Sequence, residues 1–267
     1  MWDLKKIDWE EYYATVPELL GRLLDTKTST VERTVERARS EYDKKWSEKR
    51  AEVEKDPDGF RHRLLYPLPG ARVMFSMRDE LFEGDLLHRH AIKDGLVNNV
   101  IARTGKGPVC VLGAGFGETT TRLVTSRPKY GGELTAPGVG SCRALGLDVS
   151  PFNYCSPADY QLIRPSSTIL TVHSLEQIPD ANHFLEGMRT VRERVEFAVH
   201  LEPTRLSARA GLIGFLRNRY MEVNDYSLNL HDVLASAADV EILDFQPDVF
   251  GQVPFNSASL IVWRFRS

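Results

Sequence analysis

The sequence predicts an α/β protein built on a doubly wound, seven-stranded, mostly parallel sheet. Three observations carry that expectation. Val109-Cys110-Val111-Leu112 is a short, apolar, partly β-branched run of the kind found in buried parallel strands. Gly113-Ala114-Gly115-Phe116-Gly117 follows at once and opens a polar helical stretch from Glu118 to Val124. Further apolar runs near 130–134, 147–149, 167–172, 195–201, 240–245 and 259–265 complete seven strands, with helical segments between most of them.

The chain of 267 residues is long enough for one large α/β domain with a helical appendage, and its 42% apolar content is ordinary for a globular protein. A formal net charge of −3 gives no support for nucleic-acid binding. Cys110, Cys142 and Cys155 lack the spacing of a disulfide framework or a zinc site, so reduced thiols are expected. With no signal-like or membrane-spanning apolar run, the expected compartment is the cytoplasm, and no membrane partner is expected.

Residues 1–106 read as an N-terminal helical region that covers the substrate site, and 107–267 as the catalytic unit. Trp9, Tyr12, Tyr13 and Val16 keep helical spacing, and Pro17 can start the next helix, which carries Leu19, Leu20, Leu23 and Leu24. Ser29 and Glu32 form a capping-box pair ahead of a long helix with an apolar stripe at Val31, Val35, Ala38, Tyr42 and Trp46. Asp56-Pro57-Asp58-Gly59 stops it. The stripe must lie on the sheet domain or on a second copy, which would make a homodimer through the N-terminal helices. Residues 60–69 read as a cationic loop with Arg61 and Arg63, and a helix is expected from about Asp85 to Ala102, bearing His88, Arg89 and His90. These basic residues either hold an anionic substrate group or form a solvated face.

Tyr130-Gly131-Gly132-Glu133 makes the second strand, with Glu133 sixteen residues beyond Gly117. A carboxylate at that place can accept the hydroxyls of a ribose. The spacing is G-x-G-x-G, and Glu118 after the last glycine is expected to repel a pyrophosphate. Asp148, at the next strand, lies thirty-one residues past Gly117, too far for the ribose role.

At these positions the chain resembles the class I S-adenosylmethionine-dependent methyltransferases, whose first motif is a strand and G-x-G-x-G with an acid ending the second strand. The resemblance runs from about Pro108 to the C-terminus and implies S-adenosyl-L-methionine as cofactor. It implies a cradle at Gly113, Ala114, Gly115 and Gly117, the ribose at Glu133, and the adenine beside Asn153 and Tyr154, with Asp159 second. Ser167 to Asp180 resembles the family's fourth motif, which places His173 and Ser174 at the strand end facing donor and substrate. His173 there is either a general base or a cofactor-lining residue.

His200 and Glu202 share one side of the fifth strand, and Pro203 ends it. They are the candidate catalytic pair, with His173 as helper; the bland alternative is a buried ion pair. After them, Leu206 to Tyr220 reads as a helix, and Tyr220, Asn224, Asp225, Tyr226 and Asn229 as a substrate-facing segment. The family's last two strands form a hairpin, one antiparallel, and Val240–Phe245 with Ser259–Phe265 fits it. No metal ligand set is visible. The expected function is O- or N-methylation of a natural-product, sugar or amino-acid-like molecule. The alternatives are C-methylation of an isoprenoid diphosphate held by Arg61, Arg63, His88 and Arg89, a non-catalytic binding protein, and a nicotinamide-dependent oxidoreductase.

Overall fold

The computed structural model describes residues 3–25, 33–68, 70 and 72–266. The Ser29–Glu32 capping pair and Val31 lie outside them. Strand β1 (Lys5–Ile7) and helices α1 (Trp9–Thr15), α2 (Pro17–Leu24), α3 (Val35–Lys55) and α4 (Pro57–Leu65) come first. A hairpin, β2 (Arg72–Met77) and β3 (Glu80–Asp85), leads into α5 (Leu86–Ile101). Then come β4 (Val109–Leu112), α6 (Glu118–Arg122), β5 (Lys129–Glu133), α7 (Ala136–Ala144), β6 (Val149–Pro151) and β7 (Ser167–Val172). The chain closes with α8 (Ala181–Arg189), β8 (Val195–Pro203), α9 (Gly211–Val223), α10 (Leu230–Ser236), β9 (Val240–Val253) and β10 (Asn256–Phe265).

The strand order is β1-β3-β2-β9-β10-β8-β7-β4-β5-β6. Strands β8, β7, β4, β5 and β6 are parallel, and β10 runs antiparallel between β8 and β9. These are the seven expected strands. Alternation along each strand sends successive residues to opposite faces. On β7, Ile169 joins a core with Phe184, Met188, Leu234 and Trp263, whereas Leu170 joins one with Val97, Ile101, Val139 and Val262. Helices thus cover both faces, as a doubly wound sheet requires.

The first hundred residues differ from expectation in three ways. They are not wholly helical: β1, β3 and β2 extend the same sheet through a Ser76–Gly251 pairing with β9, so the sheet crosses the expected boundary at 106. Asp56-Pro57 ends α3 as expected but also starts α4. The Asp56 carboxylate accepts from Gly59 N at 2.9 Å with Pro57 at the first helical position, so residues 57–65 form a helix where a loop was expected. The apolar faces of the N-terminal helices are also satisfied within the chain. Trp9, Tyr12 and Tyr13 pack on Phe255, and α2 lies against α9.

Nearer the C-terminus, α9 begins only at Gly211, so Arg209 stands before the helix, where it pairs with Asp248. Strand β9 continues through Pro247, which a register shift accommodates, with Asp248 at φ 52°. Among the described residues no helix is long and apolar enough to cross a membrane.

Candidate cofactor and substrate site

The C-terminal ends of β4, β5, β6 and β7 open into one cleft, where ligands sit in open α/β sheets. It has about 630 Å³ of unfilled space, its open mouth included. Gly113, Gly115 and Glu133 form its floor, and Phe152, Asn153, Tyr154, His173, Ser174 and Gln177 its walls. Helix α3 roofs it with Val35, Ala38, Tyr42 and Trp46, so the stripe read from the sequence faces the sheet edge.

Gly113 and Gly115 take φ of +69° and +56°. A Cβ on Gly113 would lie 2.3 Å from Ser174 Cβ, and one on Gly115 would lie 3.2 Å from the Trp46 ring. Gly113→Ala therefore combines a left-handed backbone cost of about 1–2 kcal/mol with direct overlap. We expect a fall in Tm together with loss of ligand binding, read by thermal melting and calorimetry. Gly117 and Ala114 stand apart from the cleft. Gly117 faces Leu147, Cys142 and Leu145, and Ala114 is buried in the sheet core. Glu118 also points elsewhere: Lys93 donates to its carboxylate at 3.1 Å, with His90 and Arg122 close by. Its expected repulsion of a pyrophosphate is therefore largely neutralised.

Glu133 is buried under the turn. Its Oε2 accepts from Gly115 N at 2.8 Å, and its Oε1 accepts from Thr135 N at 3.1 Å and Thr135 Oγ1 at 2.8 Å. The Leu134 amide also bonds to this carboxylate, so its roughly four acceptor positions are largely engaged by the turn itself. Burial raises its pKa, and the bonds from Thr135 and Gly115 oppose that rise.

The wall beside it is tied to the fourth motif. Tyr154 Oη and Ser174 Oγ are 2.9 Å apart, and Ser174 Oγ donates to Leu112 O at 3.2 Å. Asn153 closes its own loop, accepting from Cys155 N at 2.9 Å while its N–H donates to Asp159 at 2.8 Å. Asp159 therefore acts from behind Asn153. Asp148 is exposed and pairs with Arg164 at 2.5 Å, outside the cleft.

The expected catalytic residues separate. His173 reaches the cleft with φ +50°, its Nδ1 3.3 Å from Glu176 Oε2 and its Nε2 without a partner. Burial lowers its pKa, but the hydrogen bond and charge of Glu176, with the charge of Glu202, outweigh that and leave it raised. Glu202 lies behind Ser174, fully buried, accepting from Ser174 N at 2.9 and 3.0 Å. Burial and the neighbouring Glu176 push its carboxyl up to about 7.

His200 is locked deeper. Trp263 Nε1 can only donate, so at 2.8 Å it must donate to His200 Nε2. That puts the imidazole proton on Nδ1, which donates to Thr171 Oγ1 at 2.8 Å. Thr171 in turn hydrogen-bonds Glu202. Burial drives the His200 pKa down to about 3. An imidazole whose lone pair is taken by an indole cannot act as a base, so the structure corrects that expectation: His200 and Glu202 form a relay that holds the His173–Ser174 turn.

The expected substrate residues divide too. Arg61 donates to Leu145 O and pairs with Asp58, and Arg89 donates to Gln252 O, so neither reaches the cleft. Asn224 and Asp225 secure the roof. Arg33 donates to both of their carbonyls at 3.0 and 3.2 Å, and Arg37 pairs with Asp225 at 2.9 Å. Tyr220 and Tyr226 meet edge-on, 6.3 Å apart. Sequence reasoning missed Thr135 and Glu176, whose only signals were a hydroxyl two residues past Glu133 and an acid three past His173. Among the described residues no group of three or more potential ligands could hold a metal ion.

No family model and no curated protein matches this chain. Solved structures do match. One is the magnesium protoporphyrin IX methyltransferase of Synechocystis PCC 6803, with 11% identity, 80% of this chain and 97% of that one covered, and a TM-score of 0.48. The N-methyltransferase NodS of Bradyrhizobium japonicum WM9 has 9% identity, 68% and 88% coverage, and a TM-score of 0.48. The [4+2]-cyclase SpnF has 15% identity, 64% and 80% coverage, and a TM-score of 0.45. Scores this low carry nothing about what the chain does.

Proposed function

We propose that this protein is an S-adenosyl-L-methionine-dependent methyltransferase acting on a small molecule in the cytoplasm. The observation that carries this is the buried Glu133 carboxylate on the cleft floor, ordered beneath the Gly113–Gly115 turn by bonds from Gly115 and Thr135. Glu133 would hold the ribose, Asn153, Tyr154 and Phe152 the adenine side, and Gly113 and Gly115 the amino-acid portion. When bound, the sulfonium supplies an electrophilic methyl group. The protein's task is then alignment and, where the acceptor carries a proton, its removal. His173, which lines the cleft and whose Nε2 has no partner, would take that proton, and Glu176 holds the ring through Nδ1.

The alternatives fit less well. Gly115 N, an amide a pyrophosphate would need, already donates to Glu133. That disfavours a nicotinamide cofactor. Arg61 and Arg89 are engaged outside the cleft, so a diphosphate substrate lacks its cations there. Calorimetry of the full chain with S-adenosylmethionine, S-adenosylhomocysteine and NAD tests the reading. The sulfur nucleosides should bind and NAD should not; the reverse order sinks it.

A further inference from the structure

Beyond the cofactor floor, four elements meet over the end of β7. Glu176, in the turn after β7, is buried at 5% side-chain exposure and bonded to His173 at 3.3 Å. Ser227 N donates to Glu176 O at 2.8 Å, which draws the loop carrying Tyr226 onto this turn. Tyr220, at the end of α9, packs edge-on against Tyr226. Arg33 and Arg37 clamp the start of α3 to Asn224 and Asp225, and two turns along α3 Tyr42 enters the cleft beside Trp46, at a ring separation of 5.5 Å.

We propose that this corner binds a substituted ammonium group, with the Glu176 carboxylate as counter-charge, the rings of Tyr42, Tyr220 and Tyr226 around it, and His173 Nε2 as acceptor of its proton. In that transfer the N–H bond breaks, its electron pair stays on the amine nitrogen, and an Nε2–H bond forms. The inference rests on the methyl-donor reading, since it makes the acceptor an amine nitrogen.

The charges point one way. Among the described residues lining the cleft there is no lysine or arginine, while Glu133 belongs to the floor. The nearby cations are committed: Arg33 to Glu41 and the loop carbonyls, Lys93 to Glu118, and Lys45 on the outer side of α3 over the Tyr42 and Trp46 rings at 5.1 and 4.8 Å. Burial raises the pKa of Tyr42, Tyr220 and Tyr226, and for each of them Glu176 is the largest charge that adds to the rise. All three phenols therefore stay neutral and close to one carboxylate. Faces of neutral aromatic rings attract cations. An anionic acceptor would instead meet the buried Glu176 carboxylate, whose own partners are His173 and the Gln177 amide.

The test is an NMR-detected titration of the full chain, saturated with S-adenosylhomocysteine, with n-butylammonium, tetramethylammonium and n-butanol. Both cations should bind about tenfold or more tightly than the alcohol, as one charge-assisted contact implies. Glu176→Gln should erase that preference while leaving S-adenosylhomocysteine affinity within about twofold. Tyr226→Leu should weaken the cations and spare the alcohol, which keeps the test open if the first variant does not fold. Equal binding of cation and alcohol, or a preference that survives Glu176→Gln, overturns the proposal. Failure of S-adenosylhomocysteine to bind the unaltered protein strikes the methyl-donor reading instead, and the same titration without the nucleoside still decides the ammonium preference.

Discussion

Glu133→Ala should reduce S-adenosylhomocysteine affinity by about a hundredfold or more, from the loss of a charge-assisted bond together with the order it imposes on the turn. The second contribution is specific to this site. Gly115 N, Thr135 N and Thr135 Oγ1 all donate to Glu133, so its removal leaves three donors at the cleft floor without their acceptor. The Gly115 amide then loses the bond that aims the turn, and a ribose held as proposed would lose its partner. Glu133→Gln should fall between the alanine variant and the unaltered protein, because an amide keeps one acceptor oxygen but turns the other position into a donor. Calorimetry measures all three. Asp148→Ala serves as the control: Asp148 is exposed and pairs with Arg164, so its loss should leave affinity unchanged. Full affinity in Glu133→Ala would remove the basis of the proposed function.

The second large effect concerns stability. His200→Ala should cost about 3–5 kcal/mol, since it opens a cavity in the core and leaves the buried Trp263 indole N–H without an acceptor. At about 2–4 °C per kcal/mol for a chain of this size class, Tm should fall by roughly 10 °C. Any ligand binding that survives folding should change little, because His200 does not line the cleft.

The relay also sets opposing pH dependences. The His200 pKa of about 3 lies below its ordinary 6.5, so the proton favours the unfolded chain, and this residue's contribution is present above pH 6.5 and lost as pH falls toward 3. The Glu202 pKa of about 7 lies above its ordinary 4.5, so its contribution is complete below pH 4.5 and is lost as pH rises to 7. That loss is on the order of 3 kcal/mol. Between pH 4.5 and 6.5 the two slopes oppose each other, and below 4.5 only the histidine slope remains. Glu202→Gln, which keeps an oxygen to accept from Ser174 N, should remove the alkaline-side loss and make Tm rise with pH from 4.5 to 6.5. A Tm profile with the same slope in both proteins would contradict the placement of the shifted pKa at Glu202.

Local pattern carried much of the fold. The run from Val109 to Glu133 contains its own strand, turn, helix and second strand, and each arises from residues close in the chain. Hydrophobic alternation likewise located β7, β8 and β10. The hairpin at 72–85 and helix α4 were harder to see. Asp56-Pro57 is equally a stop for one helix and a cap for the next, and the second role is realised here because Phe60 and Leu64 find apolar partners in Leu145 and Phe116.

What the sequence settled by itself was the order of seven strands and the placing of an acid beneath a glycine turn, because both are encoded over a few neighbouring residues. Packing, in contrast, selected which side chains can bear the chemistry. His200 and His173 look alike in the chain, yet one accepts a bond from Trp263, sixty-three residues on, while the other lines the cleft with its Nε2 unpartnered. Glu176, Tyr42, Tyr220 and Tyr226 come from separate elements, and no periodicity links them. Hydrogen-bond partners and local dielectric are properties of the packed molecule, and they determine which imidazole can take a proton.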